Sequence, residues 1–164
     1  PKALWNAARC LELMHKQTEA LQDYDLIRKR FAASQLEQRA LQSKADLLAR
    51  MGRFAEARTV YGDLGKNLAP ESNDHAWSAL GIARTWLRQG KTQEARKVLK
   101  EFLGNRTSVE HGGEATFLVA CSYAQEDRPL DAARGFMQLT TQFPGHRRAL
   151  EARLNAGQEF AKAE

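Results

Sequence analysis

The chain contains 164 residues, of which 43% are hydrophobic and 27% are charged. This composition is typical of a folded protein and excludes a disordered segment, and no apolar run reaches the roughly 18 residues of a membrane span. The formal net charge is +5, but the basic residues are spread along the chain rather than concentrated in a stripe. We therefore expect no nucleic-acid partner. Because the chain starts at Pro1 without a signal segment, we expect a fragment of a longer protein.

Helical periodicity and turn residues divide the chain into a series of predicted helices. The helices are predicted over residues 2–14, 17–31, 36–51, 54–67, 74–89, 92–103, 112–125, 129–142 and 146–162. Asn73 or Asp74 is expected to cap the fifth helix. The tight turns between paired helices should each hold one residue with a positive φ, namely His15, Gly52, Gly90 and Asp127. The sequence thus predicts helical hairpins followed by a final helix.

The same pattern of small and large residues recurs along the chain. Alanines at positions 20, 57, 95 and 132 recur every 37 or 38 residues, and a second alanine precedes each of them at 8, 45, 83 and 120. Large apolar residues follow at helical spacing, namely Tyr24, Tyr61, Leu99 and Phe136, and then Ile27, Leu64, Phe102 and Leu139. Residues three or four apart share one face of a helix. The alanines are therefore predicted to let paired helices approach closely, with the large residues filling the space beside them.

This pattern resembles the tetratricopeptide repeat (TPR) across essentially the whole chain. The fourth unit matches best, through Ala120, Tyr123, Ala132, Phe136 and Pro144. The units depart from the family in their greater length, in alanine replacing the signature glycine, and in the missing signature tryptophan. The resemblance implies an all-α, right-handed superhelix of about four hairpins plus a final helix. We expect a single array of units 1–34, 35–71, 72–108 and 109–145, followed by a helix over 146–164.

The resemblance also implies that the first helix of each unit lines a concave groove. The partner-binding residues predicted on this basis are Trp5, Arg9, Gln42, Asp46, Trp77, Leu80, Arg84, Arg88, Phe117 and Gln125. Aromatic and arginine side chains dominate the energetics of many interfaces, so we expect a protein or peptide partner with apolar and acidic character. The alternative is that Trp5 and Trp77 pack within or between helices. The carboxylate clamp of co-chaperone TPR domains is absent, since its positions hold Trp5, Arg9, Ser43, Trp77 and Gly81.

The sequence predicts no catalytic, cofactor or metal site. The segment HGGEAT (111–116) offers His111 and Glu114 but no third ligand, and its glycines are expected to form a turn. The histidines fall on different units, and each unit of a repeat array contacts only its neighbours, so they should not converge. Cys10 and Cys121 are expected to be separate, semi-buried thiols.

The leading functional hypothesis is a non-catalytic scaffold for protein–protein interaction. The long units resemble those of TPR proteins of the bacterial envelope, which favours the periplasm and a role in outer-membrane assembly or polysaccharide export. The compartment itself stays open. An alternative hypothesis is a recruiting or regulatory arm of a larger enzyme or sensor. The final helix suggests a third, self-association through Leu154, Ala156 and Phe160 on an uncapped end.

Overall fold

The computed structural model describes residues 2–32, 34–66, 68–69, 72–105 and 108–163. Within these ranges the chain forms nine α-helices and no strand, as predicted. They are α1 (Lys2–Leu13), α2 (Gln17–Arg30), α3 (Gln35–Arg50), α4 (Phe54–Gly65), α5 (Asn73–Arg88), α6 (Thr92–Leu103), α7 (Val109–Ala124), α8 (Pro129–Gln142) and α9 (Ala149–Lys162). None of the helices in the described part combines the length and hydrophobicity that a membrane crossing needs.

The chain divides into two compact units. Unit 1 is Pro1–Asn67 and contains the hairpins α1–α2 and α3–α4. Unit 2 is Leu68–Glu164 and contains the hairpins α5–α6 and α7–α8 together with α9. Within each unit, helices that follow one another in the chain pack together.

The alanines that define the repeat lie where the helices of a hairpin cross. All eight have no exposed surface, namely Ala8, Ala20, Ala45, Ala57, Ala83, Ala95, Ala120 and Ala132. A methyl group at these positions lets neighbouring helix backbones approach, whereas a longer side chain would hold them apart. The predicted register of small residues is therefore confirmed.

Every hairpin turn contains one residue in the left-handed region. Gly52 and Gly90 have φ values of 76° and 70°, and His15 and Asp127 have values of 60° and 54°. A positive φ reverses the chain directly after a helix and costs glycine little, since glycine has no Cβ. The predicted turn residues are confirmed, including the two that are not glycine.

The helix starts differ from the predictions because serines cap the first helix of three hairpins. Ser34, Ser72 and Ser108 each accept a hydrogen bond from the backbone N–H three residues later. The prediction of Asn73 or Asp74 as the cap of α5 is wrong, since Ser72 takes that role.

The predicted starts of α7 and α9 were also wrong. The cap at Ser108 starts α7 at Val109, so Gly112 and Gly113 lie inside a helix and not in the expected turn. In turn, α9 begins only at Ala149, because His146 and its neighbours form a folded loop before it.

Unit 2 has two apolar clusters, and α7 contributes to both. The first joins α5, α6 and α7 and includes Leu80, Leu99 and Leu118. The second joins α7, α8 and α9 through Phe117, Ala120, Ala132, Phe136, Leu139, Ala152 and Ala156. The expectation that Ala156 lies on an open end is therefore wrong, because it is 1% exposed. Leu154 and Phe160 do remain exposed on α9.

Candidate functional site

Unit 2 contains a cavity of about 220 Å³ beside α5 and α7. Trp77, Leu80 and Arg84 from α5 line it, so three of the predicted partner-binding residues meet here. They share one face of the helix because they are spaced three and four residues apart. The remaining lining residues come from α7 and from the loop before α9, namely Glu110, His111, Glu114 and Arg147.

Glu114 supplies a buried negative charge at this cavity. Its side chain is 5% exposed, and Arg84 Nη2 donates a hydrogen bond to its Oε1 atom at 2.8 Å. Burial pushes the pKa of the Glu114 carboxyl up, but the hydrogen bond from Arg84 and the charges of Arg84, Arg148 and Arg147 hold the pKa below its usual range. Glu114 is therefore a carboxylate at neutral pH.

The second oxygen of Glu114 lacks a hydrogen-bond donor. Arg148 Nε lies 3.3 Å and Arg147 Nη2 lies 3.7 Å from Oε2, but neither forms a hydrogen bond with it. These two guanidinium groups balance the charge without satisfying the lone pairs of the oxygen. Buried polar atoms in this condition are rare in folded proteins.

The loop before α9 is held against α7 by His146. This side chain is fully buried, and its ring occupies the space above Gly113, where an added Cβ would lie 2.6 Å from ring atoms. Its Nδ1 accepts a hydrogen bond from the Arg148 backbone N–H at 3.2 Å. Gly113 is thus required for close approach, and the approach places Arg147 and Arg148 beside α7.

Arg147 and Arg148 contact α7 in different ways. Arg147 Nε lies 2.9 Å from Glu110 Oε1, at the exposed rim of the cavity. The Arg148 guanidinium lies 4.3 Å from the centre of the Phe117 ring, a cation–π contact. Neither arginine was identified from the sequence, although the paired glycines at 112 and 113 signalled a close approach of two segments.

The remaining predicted residues of unit 2 lie outside the cavity lining. Phe117 is 4% exposed, with Phe136 packed 5.3 Å from its ring centre and Arg148 over its face. The prediction of a groove-facing aromatic side chain is wrong at this position, because α8 and the loop before α9 cover the ring. Arg88 and Gln125 are exposed at the carboxyl ends of α5 and α7.

In unit 1 the predicted residues lie on α1 and α3. The Arg9 guanidinium lies 5.7 Å from the centre of the Trp5 ring, which is half-buried. Asp46 accepts a hydrogen bond from the Tyr61 hydroxyl at 2.8 Å and so links α3 to α4. Gln42 is half-buried. A partner-binding role for these four residues stays a prediction.

The described residues offer no arrangement for metal chemistry. Within the ranges given above, no three His, Cys, Asp or Glu side chains come together as a group that could hold a metal ion. Cys10 and Cys121 are free thiols, as predicted, and Cys121 is half-buried, but the prediction of a semi-buried Cys10 is wrong because this residue is exposed. Burial raises the pKa of the Cys121 thiol to about 11, so this sulfur is protonated and unreactive at neutral pH.

The comparisons with known proteins concern the fold. No protein-family model matches the chain, and no curated protein matches it. Among solved structures, a putative kinesin light chain from Podosopora anserina with nearly identical TPR-like repeats has 16% identity and a TM-score of 0.73, over 99% of this chain and 85% of that one.

Two bacterial structures are also similar. A tetratricopeptide repeat protein from Parabacteroides merdae has 16% identity and a TM-score of 0.70, over 98% of this chain and 60% of that one. MamA from Desulfovibrio magneticus has 15% identity and a TM-score of 0.65, over 98% of this chain and 91% of that one. The chain therefore has the fold of the tetratricopeptide-like repeat proteins, an all-α solenoid of helical hairpins.

Proposed function

We propose that this chain is a non-catalytic scaffold that binds an extended segment of a partner protein on the α5–α7 face of unit 2. The TPR-like fold supports a role in protein–protein interaction. The observation that carries the proposal is the cavity itself, which combines an apolar wall of Trp77 and Leu80 with charged groups. Binding sites for peptides typically join an apolar pocket to a few positioned polar groups.

The chemistry of this face defines the proposed partner. An apolar side chain of the partner enters the cavity against Trp77, and Leu80, which is 4% exposed, offers only a small part of its surface. Acidic groups that flank the apolar side chain contact Arg147, which is exposed at the rim of the cavity beside Glu110, and Arg88, which is exposed at the carboxyl end of α5. Arg84 contributes differently from the sequence-based expectation, because Glu114 already neutralises its charge. Since the helices are formed before binding, little ordering entropy is lost on the side of the scaffold.

The proposal extends to a cellular setting. The repeat spacing of 37 or 38 residues resembles the long units of bacterial envelope TPR proteins. This resemblance supports a role in envelope assembly or polysaccharide export, with the periplasm as the compartment. Fractionation of source cells checks it, and recovery in the cytoplasmic fraction would remove this part of the proposal.

The docking face is tested with a library of random peptides displayed on phage and selected against the full chain. We expect enriched peptides to combine a large apolar residue with flanking Asp or Glu. Trp77→Ala should weaken binding of these peptides at least about tenfold, the usual effect of removing an interface anchor. Arg147→Ala should weaken binding less, since its charge is solvent-exposed.

The matched control is Arg134→Ala, which removes an exposed arginine from α8, away from the cavity. Thermal unfolding followed by circular dichroism accompanies each variant. Selected peptides that bind Trp77→Ala and Arg147→Ala as tightly as the native chain would place the docking site elsewhere. Unfolding of Trp77→Ala would instead identify Trp77 as a core residue.

A further inference from the structure

We propose that Arg84 and Glu114 together bind a primary amide, the side chain of an asparagine or glutamine in the docked segment. This inference rests on the proposed function, because it names the group that enters the cavity of unit 2. It concerns the floor of the cavity, whereas the acidic groups of the partner contact its rim.

The two side chains offer the complement of an amide. A primary amide carries an N–H donor and a carbonyl acceptor next to each other. Glu114 Oε2 lacks a hydrogen-bond donor, and it therefore accepts the amide N–H. Arg84 is 44% exposed and uses Nη2 toward Glu114 Oε1, so further N–H groups of its guanidinium can donate to the amide carbonyl.

The balance of charge disfavours an ionised group at the same place. Glu110 and Glu114 both line the cavity, and arginines already neutralise them. A carboxylate on the partner has no N–H to donate to Glu114 Oε2, so two anionic oxygens would face each other in a partly desolvated place, which is unfavourable. A lysine on the partner would meet Arg84 and Arg147. A neutral amide forms both hydrogen bonds without adding charge.

Access to the oxygen depends on Arg147. Glu114 Oε2 is covered from solvent, and Arg147 Nη2 lies 3.7 Å from it. Arg147 is 66% exposed and makes its shorter contact with Glu110, so moving it aside costs little. The Arg148 Nε contact at 3.3 Å stays in place and continues to balance the charge of Glu114.

The test compares two peptides that differ only in the group of interest, Ac-Leu-Gln-Leu-NHMe and Ac-Leu-Glu-Leu-NHMe. Each is titrated into the full chain while NMR follows the indole N–H of Trp77. We expect the glutamine peptide to bind about tenfold more tightly than the glutamate peptide, the effect of hydrogen bonds to charged groups. Glu114→Gln should abolish or invert this preference, because it removes the anion that repels glutamate.

Because Glu114→Gln leaves Arg84 and Arg148 without their buried ionic partner and could unfold the chain, a second variant is needed. Arg84→Met keeps Glu114 paired with Arg148 and removes the donor for the amide carbonyl, so it should weaken binding of the glutamine peptide at least about fivefold. Glu101→Gln is the matched control, since this exposed glutamate lies on α6 and outside the cavity lining, and it should preserve the preference.

The outcomes separate the two proposals. Equal affinity of the native chain for both peptides, a preference that survives Glu114→Gln, or an affinity for the glutamine peptide that Arg84→Met leaves unchanged overturns the amide inference and leaves the docking face intact. If neither peptide shifts the Trp77 signal at millimolar concentration, both the amide site and the proposed docking face are wrong.

Discussion

Within each unit, the second helix of one hairpin packs against the first helix of the next. Helix α2 packs against α3 in unit 1, and α6 packs against α7 in unit 2. The two junctions use the same three repeat positions with opposite chemistry. These positions hold Leu21, Leu47 and Met51 in unit 1, and Arg96, Ser122 and Glu126 in unit 2.

The unit 2 junction is a buried polar network. Arg96 is 8% exposed and donates to Ser122 Oγ at 3.1 Å and to Glu126 Oε1 at 2.6 Å. Its guanidinium also lies 4.5 Å from the centre of the Tyr123 ring, and the Thr92 hydroxyl donates to the same Glu126 oxygen. Every buried donor that this network uses is directed to a specific acceptor, so the network fixes one geometry.

The unit 1 junction relies on apolar burial at the same positions. Leu21 and Leu47 are 7% and 2% exposed. The buried charge of unit 1 lies elsewhere, at Glu12, which accepts hydrogen bonds from Tyr24 and Arg50. Burial and the neighbouring Glu12 raise the pKa of the Tyr24 hydroxyl. One helix arrangement can thus be held mainly by non-directional burial, with the Lys44–Asp25 ion pair beside it, or mainly by directional hydrogen bonds between buried polar groups.

The largest expected change in stability comes from replacing the polar residues of the unit 2 junction by apolar residues like those of unit 1. Arg96→Leu should lower the free energy of unfolding by about 2–3 kcal/mol, because it breaks a buried ion pair while Glu126 keeps partial access to water. The triple variant Arg96→Leu, Ser122→Leu and Glu126→Met should return to within about 1 kcal/mol of the native chain. Urea denaturation of the full chain measures both. A triple variant as unstable as Arg96→Leu would show that the junctions differ in geometry.

Replacing one helical glycine in each unit by alanine should change the free energy of unfolding in opposite directions. An added Cβ at Gly135 of α8 would lie 2.9 Å from Ala120 Cβ, whereas nothing lies within 4 Å of one at Gly62 of α4. Gly135→Ala should therefore cost about 1–3 kcal/mol, and Gly62→Ala should gain about 0.5–1 kcal/mol through helix propensity. The melting temperatures of the two variants should move in opposite directions. A shift of the same sign would contradict the difference in packing.

Acid should weaken the unit 2 junction selectively. Hydrogen bonds from Arg96 and then Thr92 lower the pKa of Glu126 to about 2. Since this lies below the value of about 4.3 in an unfolded chain, the stabilisation is present above the unfolded value and is lost as the pH falls toward 2. Glu126→Gln should cost about 1 kcal/mol at neutral pH and progressively less in acid.

Urea denaturation at several pH values measures the difference between the native chain and Glu126→Gln. Other carboxylates titrate in both proteins and cancel in this difference. A difference that stays constant between neutral pH and pH 2 would exclude an ionised Glu126 as the source of the stabilisation.

The smallest effect is expected at the ion pair of unit 1. Lys44 Nζ lies 2.5 Å from Asp25 Oδ1, and the aspartate is 45% exposed. Lys44→Met should change the free energy of unfolding by less than about 0.5 kcal/mol, as is usual for pairs near the surface. An effect as large as that of Arg96→Leu would mean that unit 1 also depends on charge pairing between its hairpins.

Local sequence patterns were sufficient for the helices and for the register of the repeat. The alanines at 83 and 120, and the positive-φ residues His15 and Asp127, were identified because each acts through its own backbone and its immediate helix partner. The spacing of residues along a helix is a short-range property, so it can be recognised in the sequence without the tertiary structure.

The candidate site could be predicted only in part, because its central contacts join distant residues. Trp77, Leu80 and Arg84 were identified from their position on one helix face. The partner of Arg84 is Glu114, thirty residues later, and no local pattern connects them. Phe117 was expected to be exposed for the same reason. Arg148, which lies over its ring, follows it in the sequence only after the whole of α8.

Only a few positions in each hairpin define the repeat, so the fold constrains the identity of few residues. Two alanines, a few large apolar residues and one positive-φ turn residue are needed per unit, and most other positions face solvent or tolerate several residue types. The fold therefore carries little sequence information per residue, and repeats can diverge widely while keeping their geometry. A TM-score of 0.73 at an identity of only 16% over 99% of the chain agrees with a fold that few positions specify.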